Sequence, residues 1–126
     1  MGLRIETVTI DAVDPIRLAQ FWSAALGWGQ RVDEDGDIWI EPDEAHPEFG
    51  RSIPLLITRV PESKQAKNRF HLDLVPDDHE REVERLESLG ATRPSIGQSG
   101  VESWVVLADP EGNEFCVLDE PDPPEA

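Results

Sequence analysis

The stretch Arg69-Phe70-His71-Leu72-Asp73-Leu74 decides the fold, because it alternates apolar and polar residues with the two-residue period of a strand that has two unlike faces. Phe70, Leu72 and Leu74 fall on one face, His71 and Asp73 on the other. The chain opens on the same pattern: from Glu6 onward, Val8 and Ile10 point one way while Thr7, Thr9 and Asp11 point the other. A capped helix follows each strand. Asp14 can cap the first, and Pro15 suits its first turn, where no amide hydrogen is needed. Leu18, Phe21, Trp22 and Ala25 recur at helical spacing, and Gly27 supplies a left-handed stop. In the second half, Asp77 and Asp78 offer caps, Val83, Leu86 and Leu89 mark the buried side, and Gly90 ends the helix.

Strands close both halves. After the acidic turn Asp33-Glu34-Asp35-Gly36, the stretch from Asp37 to Glu41 reads as a strand carrying Trp39. Ile53 to Val60 reads as another, with Pro54 confined to its first residues or to an edge. In the second half, Ser103 to Ala108 carries Trp104, Asp109-Pro110-Glu111-Gly112-Asn113 makes a tight turn, and Glu114 to Leu118 is the last strand. This repeated order predicts a duplication of a βαβββ unit roughly 60 residues long, longer than a solenoid repeat. Module one covers about residues 4–62 and module two about 68–120, within a single domain of residues 1–126. The acidic, Pro-rich tail 120–126 is expected to fray.

Composition narrows the partners. The formal charge of −16 argues against nucleic acid and against an anionic membrane surface, since both demand Lys and Arg. Such a field would draw in a cationic ligand, although acidic residues also simply keep a surface solvated. No apolar run approaches the roughly 20 residues needed to span a bilayer, and the first ten residues lack the pattern of a secretion signal. A cytoplasmic home is expected, and the single Cys116 agrees with a reducing compartment.

The opening Thr9 to Gly27, the run Lys67-Asn68-Arg69-Phe70-His71-Leu72-Asp73-Leu74, the Leu89-Gly90-Ala91 stop and the segment from Asp109 to Leu118 together resemble the glyoxalase and bleomycin-resistance (vicinal oxygen chelate) superfamily. More narrowly, they resemble its glyoxalase-like domains common in actinobacteria. The resemblance implies an α+β fold in which two βαβββ modules form a curved, mostly antiparallel, eight-stranded cup with the helices outside. It also implies a homodimer and a small-molecule site in the cup, but not a chemistry, because one fold carries many.

Metal-dependent members of the superfamily place one ligand on the first strand and one on the last strand of each unit. The matching positions here are about Thr7, Leu56, His71 and Cys116. Leu56 has no donor atom, a Thr hydroxyl is a poor ligand, and a zinc ion shared by His71 and Cys116 falls short of the usual three or four. No cofactor is therefore expected, and a divalent metal would need Asp73 or Glu114 to turn toward His71.

The resemblance and the strand parity together put Thr7, Thr9, His71, Asp73, Glu114 and Cys116 inside the cup, with Trp39, Leu56 and Trp104 as its wall. His71 either hydrogen-bonds across the sheet or acts as a general base or ligand-orienting donor. Asp73 is expected to be a neighbour rather than a partner, since i and i+2 on a strand lie about 6.5 Å apart. Cys116 reads as a small buried residue before it reads as a nucleophile. Lys67, Asn68 and Arg69 form a compact basic element, either a grip for a carboxylate at the cavity mouth or a salt-bridged surface loop. The loop from Ser95 to Gly100 is either a lid or an ordinary connector. No phosphate-cradling glycine motif, nucleophile elbow or Cys-x-x-Cys pair is present.

Three functions stay open. One is metal-free binding of a small, cationic or aromatic molecule, as in drug or metabolite sequestration. Another is a lyase, isomerase or hydrolase using His71 as acid and base, with metal-dependent glyoxalase activity disfavoured. The third is a protein-binding regulatory module.

Overall fold

The first strand, β1 (Val8–Ala12), buries Ala12 and half-buries Val8 and Ile10, while Thr9 and Asp11 stay exposed. This is the alternation read from the sequence. The computed structural model describes residues 2–94 and 104–119 of the chain. Two compact units divide it, Met1–Ser63 and Lys64–Ala126.

In the first unit, Asp14 accepts the Arg17 amide at 3.2 Å and so caps α1 (Pro15–Leu26). Leu18, Ala19, Phe21 and Trp22 are at most 1% exposed, so the predicted stripe is the core of this unit. Phe21 and Trp22 meet edge to face with centroids 5.1 Å apart. Gly27, at φ 70°, ends the helix by donating to the Ser23 carbonyl at 2.9 Å.

Three further strands complete the unit: β2 (Gly29–Val32), β3 (Ile38–Glu41) and β4 (Leu55–Arg59). Their order with β1 is β1-β4-β3-β2, with β1 and β4 parallel and the other pairs antiparallel. Ile38, Ile40, Leu55 and Ile57 are buried and share the face of Val8, Ile10 and Ala12, the face that packs on α1. β2 has no apolar period and is exposed throughout, so its sequence carries no strand signal. It forms because Asp33 closes the hairpin to β3, its Oδ1 accepting the amides of Asp35 at 2.9 Å and Asp37 at 3.1 Å. β4 begins after Pro54, which has no amide to give the ladder but whose carbonyl accepts Val8 N at 3.1 Å.

The second unit runs β5 (Asp73–Leu74), α2 (His79–Leu89), β6 (Trp104–Ala108) and β7 (Glu114–Leu118). Asp78 caps α2 through its bond from the Arg81 amide at 3.2 Å, and Val83 and Leu86 are buried. The sheet order is β5-β7-β6, again with a parallel pair followed by an antiparallel one. Thr92 bridges Ala108 antiparallel at the position that β2 takes in the first unit, so the two units share one topology. The fold is thus α+β, with seven strands in sheets of four and three among the described residues. Ser103, the Ser95 to Gly100 loop and the 120–126 tail lie outside those residues.

One strand departs from its sequence reading. The predicted strand from Arg69 to Leu74 shrinks to two residues, and Phe70 is 92% exposed instead of sharing a buried face with Leu72 and Leu74. The chain bends before β5 and joins the sheet at Leu72, whose carbonyl accepts Cys116 N at 2.9 Å. No helix among the described residues is long and apolar enough to cross a membrane.

Candidate functional site

β7 organises the second unit's chemistry. Pairing of Asp73 with Cys116, and of Cys116 with Val106, sets Asp73, Cys116 and Val106 on one sheet face. Parity along the strands adds Glu114 and Trp104 to that face. Trp104 is 38% exposed and pairs with Leu118.

His71 lies just ahead of β5, and its Nδ1 is 3.0 Å from Asp73 Oδ1. This corrects the expectation that the two are mere neighbours. The expected spacing holds for a regular strand, but the backbone at His71 and Leu72 is not in one, and the ring folds toward the carboxylate. A carboxylate can only accept, so it pairs with the tautomer that carries its proton on Nδ1, and in that tautomer Nε2 is the basic atom of the ring. Both side chains keep solvent contact, 42% for His71 and 52% for Asp73.

Cys116 sits at the floor of this pair, 8% exposed, with Sγ 4.0 Å from His71 Nδ1. Burial first, then the charge of Asp73 and a hydrogen bond to it, push the thiol up to about 11, against a weaker opposing pull from Lys67. At neutral pH it is a thiol. That makes Cys116 a packed donor to Asp73 and not a nucleophile.

Glu114 does not turn toward His71. It is 9% exposed, and its Oε1 takes Lys64 Nζ at 3.2 Å while its Oε2 takes the Asn68 amide at 3.1 Å. Asn68 Nδ2 also donates to the Glu114 carbonyl at 3.1 Å. Burial raises this carboxyl, yet the Asn68 amide and the Lys64 ammonium outweigh it and hold the group below its usual range. Sequence reasoning singles out Lys67-Asn68-Arg69 for its charge; the residue that docks is the neutral Asn68, and Lys64 carries no signal of its own. A connector rich in donors, facing a buried carboxylate, is the pattern that could have found them.

In the first unit, Thr9 pairs with Leu56, and Leu56 with Trp39, so these three share the sheet face opposite α1. Thr7 precedes β1, and its shielded Oγ1 has no hydrogen-bond partner among the described residues. The Trp39 indole donates to Asp33 Oδ2 at 2.9 Å, and the Arg31 guanidinium lies 5.3 Å from its centroid. Trp39 is therefore half-buried and already engaged within its own hairpin.

A metal site of the four-position kind fails here at Leu56, which offers no donor atom. What gathers instead, within 4.8 Å, is one donor each from His71, Asp73 and Cys116. An incoming ion would have to displace the thiol proton and the contact of His71 with Asp73. A second group, Asp33, Asp35 and Asp37, is a hairpin turn whose Asp33 oxygens already accept three hydrogen bonds.

Comparison with known proteins agrees with the fold. A mutant of the genomically encoded fosfomycin resistance protein FosX from Listeria monocytogenes, complexed with Mn(II) and 1S,2S-dihydroxypropylphosphonic acid, is 13% identical with a TM-score of 0.69, covering 96% of this chain and 93% of that one. FosX from Mesorhizobium loti is 16% identical with a TM-score of 0.68, covering 96% and 94%. A glyoxalase/bleomycin resistance protein/dioxygenase family enzyme from Burkholderia phytofirmans is 18% identical with a TM-score of 0.66, covering 89% and 94%. At such identities the likeness shows the fold and nothing finer. No curated protein matches the chain. The family model described as a glyoxalase-like domain matches residues 7–118, nearly the whole chain, which therefore belongs to that family of the vicinal oxygen chelate superfamily.

Proposed function

We propose that this protein binds a small organic molecule over the sheet face that carries His71, Asp73 and Cys116, and that His71 Nε2 moves a proton on it. The contact that carries this reading is His71 Nδ1 to Asp73 Oδ1 at 3.0 Å. It orients the ring and favours the tautomer whose Nε2 is free to take a proton. The neighbouring thiol keeps its own proton and so cannot compete as a nucleophile. The class of reaction this supports is proton transfer in a lyase, isomerase or hydrolase of small metabolites. Trp104 supplies apolar wall on the same face, and Thr9, Leu56 and Trp39 offer a second, half-exposed face within their own unit. A closed homodimer is the assembly that goes with this reading.

A second reading, sequestration without conversion, is favoured by the charge of −16, which would concentrate a cationic guest. One experiment separates them. The purified chain and its His71→Gln variant are incubated with a library of small carbonyl, epoxide and cationic aromatic compounds, and both free and converted species are followed by mass spectrometry. Conversion by the native chain that His71→Gln abolishes supports proton transfer. Binding of unchanged compounds by both proteins, with no conversion, leaves sequestration.

A further inference from the structure

His71 belongs to no strand, so something other than the ladder must hold it against Asp73. The backbone is tied to β7 at two nearby points on either side of it. On one side, Asn68 docks on Glu114 through its amide and its side chain, both at 3.1 Å. On the other, the Leu72 carbonyl accepts Cys116 N at 2.9 Å. Three residues, 69 to 71, span the gap, and their ends cannot shift while both ties hold.

We propose that Glu114 is a positioning residue for His71: by docking Asn68 and Lys64 it fixes the bend that presents the imidazole to Asp73. The proposal rests on the reading of His71 as the proton-moving group and adds a residue that never touches the substrate. The chemistry of Glu114 supports it. Its two oxygens serve two separate donors, Lys64 Nζ and the Asn68 amide, in a place where each donor would be costly to leave unpaired. Lys64 is itself 23% exposed and Glu114 10% by side chain, so water cannot readily replace either partner. Both ties run through one strand, β7, which also holds Cys116. One rigid element thereby sets the imidazole, the carboxylate and the thiol together.

Replacing Glu114 with Gln leaves one oxygen where two are needed and aims an amide NH2 at a donor. Replacing Lys64 with Gln as well restores a complementary pair without charge. The test uses the full chain labelled with nitrogen-15 in histidine, with His46 and His79 as internal controls. In the native chain the two ring nitrogens of His71 are expected to give well-separated signals, with Nδ1 protonated. Glu114→Gln is expected to lose most of that separation, in the same direction as Asp73→Asn, while His46 and His79 stay in place. The double variant Lys64→Gln/Glu114→Gln is expected to recover the native signals.

Unmoved His71 signals in Glu114→Gln, with the Asn68 amide displaced, would overturn the proposal and leave Glu114 as a simple staple. Should Glu114→Gln fail to fold, Glu114→Asp carries the same test, since it keeps the charge beside Lys64 and draws the carboxylate back from the Asn68 amide. The two claims fail separately. Turnover that survives His71→Gln refutes the proton-transfer reading and leaves the ring spectra to judge the positioning on their own.

Discussion

Asp73 lies 3.0 Å from His71 Nδ1 and faces the Cys116 thiol as well, so one half-exposed carboxylate orients the ring on one side and, after burial, helps keep the thiol protonated on the other. Its replacement by Asn therefore acts on both neighbours at once. An Asn amide can accept from Nδ1 or donate to it, so the ring loses its preference for the Nδ1-protonated tautomer. For any compound that the native chain converts, His71→Gln is expected to lower kcat by about 10²–10⁴-fold, the usual weight of a general acid or base. Asp73→Asn acts through the ring, and a loss of about 10–100-fold is expected, the usual weight of an orienting partner. Steady-state kinetics on the two variants checks the order; an Asp73→Asn enzyme as fast as native would detach Asp73 from the site.

Core packing gives a second expectation. Phe21 is 1% exposed and meets Trp22 edge to face, so Phe21→Ala opens a cavity in the first unit at a cost of about 3–5 kcal/mol. Urea unfolding followed by Trp fluorescence measures it. Ile16→Ala, on the exposed side of the same helix at 60% exposure, is expected to stay within about 0.5 kcal/mol of native.

Both helices and the main strands were legible because period and caps are local: Leu18, Phe21 and Trp22 announce α1, and Asp14 and Gly27 bound it. β2 was not legible, since an exposed strand has no apolar face to betray it and rests on the Asp33 turn. The face shared by Asp73, Glu114 and Cys116 followed from strand parity together with the family resemblance. The contact of His71 with Asp73 did not, because it depends on a bend that parity cannot see. Parity and resemblance place Glu114 in a cavity lining, and what turns it to Asn68 and Lys64 is a tertiary contact spanning 46 to 50 residues, invisible to any local pattern.

Asp33 offers a prediction in acid. The indole of Trp39 is the largest influence on its carboxyl; desolvation comes next and opposes it, and the amides of Asp37 and Asp35 with the charge of Arg31 tip the balance, so the group lies below the usual range. A depressed carboxyl stabilises the fold above its unfolded value, and that contribution disappears as pH falls through the lower, folded value. The β2–β3 hairpin is thus expected to loosen in acid, reported by Trp39 hydrogen exchange at the indole N–H. Asp33→Asn is expected to show the looser indole already at neutral pH and to flatten the acid dependence. An indole equally protected in both proteins would show that the bond at 2.9 Å carries no weight.

The alkaline limb belongs to Cys116. Its thiol stands at about 11 in the folded chain against an ordinary 9.0, and a group raised on folding contributes stability that is complete below the unfolded value. That contribution fades as pH climbs through the window between those two values and is gone above it. The chain contains no Tyr, so ultraviolet absorbance of the thiolate can be followed without tyrosinate beneath it. Titration of the native chain is expected to show no thiolate until well above pH 9, and denaturant at pH 9 to 10 should release it at once. Because the negative charge of Asp73 is one of the causes, Asp73→Asn should bring the folded titration down toward the ordinary value. A native thiol that titrates with the unfolded one would mean that Cys116 is wet, and the buried floor on which His71 and Asp73 are placed would be lost with it.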